Sequence, residues 1–438
     1  MATDSLTVVG AGPKALAIAA KAYVLRELGF SVPQIKILEK TGIAANWKPG
    51  TGFTNGRLRL GTSPEKDVGF PYCSSCWGDD FNARIDRGMA QFSWRNYLVE
   101  KRRYASWIDR GRPQPEHRIW AEYLEWVFSQ LRGASDLVEY IEADCDQIEL
   151  TGDRSWLVSG KRSNGSRVEF EANGLVLTGP GEIKNPKGIP NDPRVLDVRS
   201  FWSRLPELAQ AGRETYVAVI GNGETAASTA VVIGRLEAPL RIDVIAPVAM
   251  SYSRGESYVE NHMYTDPFKG NWHELTYSDR RNFIERTDRG VFSIAAKKEL
   301  DQMDHIDIIP GWFRRVQVNS ANQLVVELEY GKNTEHRVYD YVVLSIGFDP
   351  LQFLTACTTQ SMKVKILERA RLPSWSVADF EESIAEDLAL ENLNPKLHVP
   401  MLAALKQGPG FPNLSCLGRL SDQILLSYVS LDQEVQRL

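Results

Sequence analysis

The sequence predicts an α/β fold made of two Rossmann-like, doubly wound domains, the second inserted in the first, with a smaller and mostly helical region beside them. Two observations carry this. A short β-branched strand runs into a glycine-rich turn and a helix near the N-terminus, and the same pattern returns at Gly221. Each copy is followed by a further strand at the spacing of a βαβ unit. With 438 residues the chain is too long for one hydrophobic core, so two or three domains are expected.

In the first copy Leu6-Thr7-Val8-Val9 is the strand and Gly10-Ala11-Gly12-Pro13-Lys14-Ala15 fits G-x-G-x-x-G/A. Gly10 permits the tight turn, Gly12 lets the backbone approach a pyrophosphate, and Ala15 is small enough for the helix to pack on the strand. The helix N-terminus offers free N–H groups and a positive dipole end to an anion. The next strand, Ile35-Lys36-Ile37-Leu38, ends at Glu39, where a carboxylate is placed to accept both hydroxyls of an adenosine ribose. Trp47-Lys48-Pro49-Gly50 through Gly56 is a glycine-rich turn region where the central part of a cofactor would lie. Taken by itself, the polar run Gly61-Thr62-Ser63-Pro64-Glu65-Lys66-Asp67 reads as a solvated loop.

Residues 90–132 look helical. Phe92, Trp94, Tyr97, Leu98 and Trp107 form one apolar set; Trp120, Tyr123, Leu124, Val127 and Leu131 recur at helical spacing in a second. Aromatic stripes of this kind are read as core. Short strands follow at 138–142, 156–158, 167–171 and 175–177, the last ending in Thr178-Gly179-Pro180-Gly181; Pro186 to Pro193 resembles a linker.

The second copy is Val217-Ala218-Val219-Ile220, then Gly221-Asn222-Gly223-Glu224-Thr225-Ala226 and a helix to Arg235, then Arg241 to Ile245. Here Ala246-Pro247 stands where the first copy has Glu39. No acid is present for a ribose diol and no adjacent arginine for a 2′-phosphate, although Arg254 lies further along. Residues 251–300 are polar and aromatic, and too long for a plain connector, which suggests a substrate pocket. Strands are expected at 323–330 and 336–346, with a second strand-to-glycine exit at Ser345-Ile346-Gly347. A helix is expected to begin near Ser421-Asp422, with Ser421 as its N-cap.

The composition, 43% apolar and 24% charged, is that of an ordinary soluble enzyme. A net charge of -5 argues against nucleic acid or an anionic membrane as partner. No apolar run approaches the ~18 residues of a membrane span. The start of the chain has no signal-peptide core, so a cytoplasmic protein is expected. The five cysteines argue against a disulfide framework. Cys73-Ser74-Ser75-Cys76 lacks a second ligand pair for a metal and sits in a loop, so free thiols are the preferred reading and no metal is expected.

Two fingerprints in one chain imply two dinucleotides. The copy with Glu39 suits tightly held FAD, and the second suits a dissociable NAD(P)H. The expected segments are a first FAD-binding part over 1–195, an NAD(P)H-binding domain over 196–335 that carries the substrate region, and a second FAD-binding part with a substrate-side helix over 336–438. Disulfide reductase, flavin oxidoreductase and flavin monooxygenase chemistry remain; Cys73 and Cys76 suit the first poorly, and a monooxygenase needs no protein nucleophile.

The chain also resembles the microbial N-hydroxylating flavin monooxygenases of siderophore biosynthesis, and within them the mycobactin-type actinobacterial L-lysine N6-hydroxylases. The residues that carry this are Gly10-Ala11-Gly12-Pro13, Gly61 through Tyr72, Trp107 through Pro113, Gly221 through Ser228, Thr287-Asp288-Arg289-Gly290-Val291-Phe292-Ser293, and Gln407 through Asp422. The resemblance implies that NAD(P)H reduces FAD, that dioxygen adds at the flavin C4a, and that the side-chain amine of L-lysine attacks the distal peroxide oxygen. It implies Lys66, Asn261 and Ser421 as substrate contacts. The candidate FAD contacts are Gly10, Gly12, Pro13, Lys14, Ala15, Glu39, Lys40, Trp47, Gly179, Gly347 and Leu420; those for NAD(P)H are Gly221, Gly223, Glu224, Thr225 and Arg254. No catalytic base is named. Three departures from the family stand out: Lys48 replaces the histidine of W-H-P-G, Thr287-Asp288-Arg289-Gly290 replaces T-N-Y-S, and Pro247 replaces an arginine. Weak discrimination between NADPH and NADH is therefore expected. Self-association into a homo-oligomer is left open. The alternatives are hydroxylation of L-ornithine or another amine, or a flavoprotein with mainly NAD(P)H oxidase activity. A Baeyer–Villiger or sulfide oxygenase would need an F-x-G-x3-H-x3-W/Y-like segment, and no histidine lies between Gly179 and Gly221. A redox-sensing flavoprotein that binds a partner is the non-enzymatic alternative.

Overall fold

The computed structural model describes residues 4–134, 136–247 and 252–431. Residue 251, where the expected substrate region begins, and the last seven residues of the expected third segment lie outside the described residues.

Two parallel sheets organise the chain. The first has five strands in the order Lys396–His398, Gly174–Leu177, Ser5–Val9, Gln34–Glu39, Val138–Glu142, with every neighbouring pair parallel. The second, also all parallel, runs Val195–Asp197, Tyr341–Leu344, Thr215–Ile220, Leu240–Ala246, Ile306–Pro310. Parallel strands need helical crossovers that cover both faces, which is why these strands read as nearly unbroken apolar runs. Val8, Val176, Val219 and Val343 are fully buried.

The helix Pro13–Glu27 follows the first fingerprint and is almost wholly buried, from Ala15 through Ala22. It packs on the helices His117–Leu131 and Leu417–Leu425, and its alanines allow that close approach from several sides. Its one buried charge, Lys21, pairs with Asp422 at 2.6 Å, and Ser74 and Trp77 donate to the same carboxylate. Those bonds satisfy a charge pair that burial alone would make costly.

The second sheet belongs to an insertion. Glu182–Ile183 and Phe348–Asp349 pair antiparallel where the chain leaves and re-enters the first body. Both crossings lie slightly outside the limits of 196 and 335 read from the sequence, because Val195–Asp197 and Tyr341–Leu344 complete the second sheet. The run expected as one strand at 336–346 is two. Asn333–Tyr339 joins an antiparallel sheet with Leu324–Tyr330, while Tyr341–Leu344 enters the parallel one. Asp340 makes the corner, its carboxylate accepting from Tyr216 N and Arg213.

Within 252–300 the short helices Tyr258–Thr265 and Tyr277–Thr287 pack back toward the first body, whereas Ile294–Leu300 packs on Glu224–Gly234 of the second. Trp272 and Ile284 bury against Ala404 and Leu405, and Arg419 reaches Asp266 at 2.6 Å. The expected helical stretch 90–132 contains Trp94–Glu100, Tyr104–Asp109 and His117–Leu131, with its aromatic stripes buried. Among the described residues no helix is long and apolar enough to cross a membrane, no cluster could hold a metal ion, and the five cysteines are free.

Candidate functional site

A cavity of about 1170 Å³ runs between the two fingerprints and the helices after residue 252. At one end is the first turn. Gly10 has φ +99°, and a Cβ there would lie 2.4 Å from Thr178 Oγ1. Gly12, in contrast, faces open space. It precedes a helix with no side-chain cap, so the first-turn N–H groups are free toward the cavity. Glu39 stands at the tip of its strand and accepts from Ala11 N at 3.0 Å and from Thr41 N and Oγ1 at 2.8 Å. These bonds fix the carboxylate at the cavity wall and leave about one of its four lone-pair sites, on Oε2, for a ribose hydroxyl. The open face at Gly12, the uncapped helix and the held acid fit a dinucleotide.

Pro13, Lys14, Lys40, Trp47 and Gly179 also line this cavity. Ala15 is buried against the sheet, as a packing residue should be. Lys48 turns outward to pair with Glu125 and does not line the cavity. His117, which sequence reasoning did not single out, is the imidazole beside Trp47, ring centroids 4.8 Å apart. Its Nδ1 pairs with Thr54 Oγ1 at 3.0 Å, and burial pushes its pKa down to about 4, so it is neutral near pH 7.

At the second turn Gly221 is required by φ +138° and by the Ser345 carbonyl, 2.3 Å from where a Cβ would sit. Gly223 precedes another uncapped helix, Glu224–Gly234. Thr225 and Glu224 line the cavity; the Glu224 carboxylate accepts from Ser293 N at 2.6 Å, and burial raises its pKa. Arg254 donates to Asp288 at 2.5 Å and to Gly61 O at 3.5 Å. It thereby joins the loop of the first body to the position where T-N-Y-S is replaced.

The expected substrate residues Lys66 and Asn261 meet, although 195 positions separate them: Lys66 Nζ donates to Asn261 Oδ1 at 2.9 Å. Asn261 Nδ2 is held by the carbonyls of Glu256 and Ser257, which aims Oδ1 at the lysine. Its helix starts with a capping box, Ser257 with Glu260. Lys66 is positioned by its neighbour Asp67, whose buried carboxylate accepts from Trp94 N, Gly69 N and Tyr72 Oη. Burial pushes Asp67 up to about 7. The Lys66 ammonium is lowered by burial and then by Arg254, and Glu256 partly offsets this.

Ser421 and Leu420 are not brought to the cavity. The helix begins at Leu417 rather than near Ser421, because Gly418 N donates to Phe70 O at 2.7 Å and anchors it earlier. Ser421 is thus an interior residue, fully buried and donating to Gly418 O, and not an N-cap. Pro412, Asn413, Leu414 and Ser415, just before that helix, are the residues of this segment that reach the cavity. Gly347 adopts φ +85° in the return turn, and its neighbour Phe348 does the lining.

The L-lysine 6-monooxygenase/L-ornithine 5-monooxygenase family model matches residues 86–307. The L-lysine N6-monooxygenase MbtG of Mycolicibacterium paratuberculosis is 40% identical over 425 residues, covering 96% of this chain and 95% of that protein. The lysine monooxygenase NbtG from Nocardia farcinica, a solved structure described as having an unprecedented NADPH domain conformation, superposes with a TM-score of 0.82. It is 40% identical, and the match covers 96% of this chain and 100% of that one. An ornithine N-hydroxylase from Kutzneria, KtzI, solved with reduced FAD, NADP+ and L-ornithine, shares the fold. Its TM-score is 0.75 at 17% identity, over 97% of this chain and 98% of that one.

Proposed function

From the premise that the chain belongs to the L-lysine 6-monooxygenase/L-ornithine 5-monooxygenase family, we propose that it hydroxylates the side-chain amine of L-lysine for hydroxamate siderophore assembly. The cofactors are FAD and NADPH, and dioxygen is the co-substrate. The observation that carries the amino-acid reading is the Lys66–Asn261 pair at the cavity wall. A free carboxylate is the partner suited to an ammonium that, among the described residues, hydrogen-bonds only an amide oxygen, with a charge-assisted bond.

Gly10, Gly12, the free N–H groups in the first turn of the helix after Pro13, and Glu39 would hold the FAD; Gly221, Gly223 and Thr225 would hold the nicotinamide nucleotide. We take the nicotinamide domain as the insertion between the paired strands at 182–183 and 348–349. When bound, FAD supplies the electron transfer and oxygen activation that no protein side chain provides. The chain's own residues orient the substrate and exclude water. Lys66 takes the carboxylate and Asn261 the backbone of the amino acid, so the distal amine points along the cavity. That amine must be neutral to react, and a free lysine amine has a pKa of about 10.4. Burial already depresses two lysines at this cavity, Lys14 to about 8 and Lys66, and the same desolvation acts on the substrate. Lysine over ornithine is a one-methylene choice worth about 1–3 kcal/mol in an apolar pocket, and the lysine-specific relatives favour lysine. We place the enzyme in the cytoplasm, where NADPH is supplied.

The test is the purified yellow protein with NADPH and a panel of amines, with hydroxylamine product measured. L-lysine should give product and L-ornithine little. NADPH oxidation without hydroxylated product from any amine would refute the reading.

A further inference from the structure

Lys14 lies in the first fingerprint, and its ammonium turns away from the strand it follows. Nζ donates to Pro412 O at 2.8 Å, Thr178 O at 3.3 Å and Met401 Sδ at 3.2 Å. Among the described residues no carboxylate pairs with it in a salt bridge. All three partners are neutral, and all three residues, Thr178, Met401 and Pro412, line the cavity with Lys14 itself. A charge held at a cavity wall by neutral groups lacks a counter-charge that a ligand can supply.

The position narrows which part of the ligand this is. The open face of Gly12 and the uncapped helix already provide for a pyrophosphate. The head of Lys14 sits further along, against the segment leading into the helix Leu417–Leu425. There the buried thiol of Cys416 is close enough to be influenced by both Lys14 and Lys66, so both lysine heads lie near that residue. With Lys66 holding the carboxylate end of the substrate, the distal amine reaches back toward this stretch, where the reacting ring must be. Hydride transfer to a flavin delivers two electrons and one proton, which leaves one negative charge on the ring unless a second proton follows.

We propose that Lys14 is the cation that offsets the negative charge that reduction puts on the flavin, and that it thereby sets the reduction potential of the cofactor. This rests on the FAD assignment above and gives a specific role to a residue already expected among the cofactor contacts. Burial lowers the Lys14 pKa to about 8, so most of the population is charged near pH 7, and a neighbouring anion holds it charged more firmly.

The experiment measures FAD affinity in the oxidised and reduced states, and the midpoint potential of FAD-loaded protein against a reference dye, with no lysine present. Lys14→Gln keeps N–H donors for the Thr178 and Pro412 carbonyls and removes the charge; Lys14→Arg keeps the charge. The glutamine variant should lose reduced-state affinity at least about tenfold more than oxidised-state affinity, a fall of about 30 mV for a two-electron couple. The arginine variant should stay close to the unaltered protein. Equal weakening in both states, with the potential unmoved, overturns the proposal and leaves Lys14 a pyrophosphate or packing residue. If both variants fail to fold, the unaltered holoenzyme carries the test. Its ratio of reduced to oxidised affinity should fall above about pH 8, where Lys14 loses its proton beside oxidised FAD but not beside reduced FAD. A flat ratio up to about pH 10 overturns the proposal. Failure of the unaltered protein to bind FAD at all is a separate result, which removes the underlying assignment instead.

Discussion

Lys66→Met removes the ammonium that faces the cavity beside Asn261. The Lys66–Asn261 bond is 2.9 Å long in the free protein, and a substrate carboxylate would take over that donor. A hydrogen bond to a charged group contributes about 1.5–3 kcal/mol, which corresponds to roughly 10- to 150-fold in affinity. The cost to folding is small, because Asn261 keeps its bonds to Glu256 O and Ser257 O and its freed Oδ1 meets cavity water. Steady-state hydroxylamine formation should therefore show the KM for L-lysine raised about 10- to 150-fold, while FAD reduction by NADPH in the absence of lysine is unchanged. Cadaverine, which has the amines but no carboxylate, should react equally poorly with both proteins. A KM within about threefold of the unaltered enzyme would mean that Lys66 does not hold the carboxylate.

Gly10→Ala should abolish FAD retention, since the new Cβ falls 2.4 Å from Thr178 Oγ1 at φ +99°; the ratio of flavin to protein absorbance after gel filtration reports it. Lys21→Met strands the Asp422 carboxylate beside Ser74 and Trp77 and should destabilise the protein by about 3–5 kcal/mol, read by urea unfolding. His398 is fully buried between Asp387 O and Tyr428 Oη, and burial lowers its pKa to about 4. Below about pH 6.5 the unfolded chain takes up this proton before the folded one does, so stability is intact above that pH. It should fall by about 3 kcal/mol as pH drops to about 4, and His398→Gln should flatten that slope in urea titrations. With Pro247 after its strand and Arg254 engaged by Asp288, the enzyme should prefer NADPH over NADH by less than about tenfold in kcat/KM; a larger preference would show that Arg254 or another base reaches the 2′-phosphate.

The parts legible in the sequence are those fixed by local chemistry. Gly10 and Gly221 announce themselves because only glycine fits the turn, and Glu39 because the length of a βαβ unit places it. The two sheets follow from apolar runs next to those turns. What stayed hidden depends on distant partners. Lys21 looks like a surface residue of an alanine-rich helix until Asp422 arrives from the other end of the chain. Asp340 reads as part of a strand, yet its carboxylate bonds to the Tyr216 backbone and splits that strand in two. Leu-Ser-Asp at 420–422 has the form of a helix start, but the contact between Gly418 and Phe70 begins the helix a turn earlier and buries Ser421. His117 carries no sequence signal, being a polar residue at the first turn of an amphipathic helix. Lys66 and Asn261 were implied by resemblance alone; their hydrogen bond supplies a physical reason for pairing them.

The most direct test uses ¹⁸O-labelled dioxygen with NADPH, L-lysine and the FAD-loaded enzyme, and mass analysis of the product. The account predicts N6-hydroxylysine carrying one labelled oxygen, the other atom leaving as water, in step with NADPH consumed. Hydrogen peroxide as the sole labelled product, with lysine recovered unchanged, would contradict it.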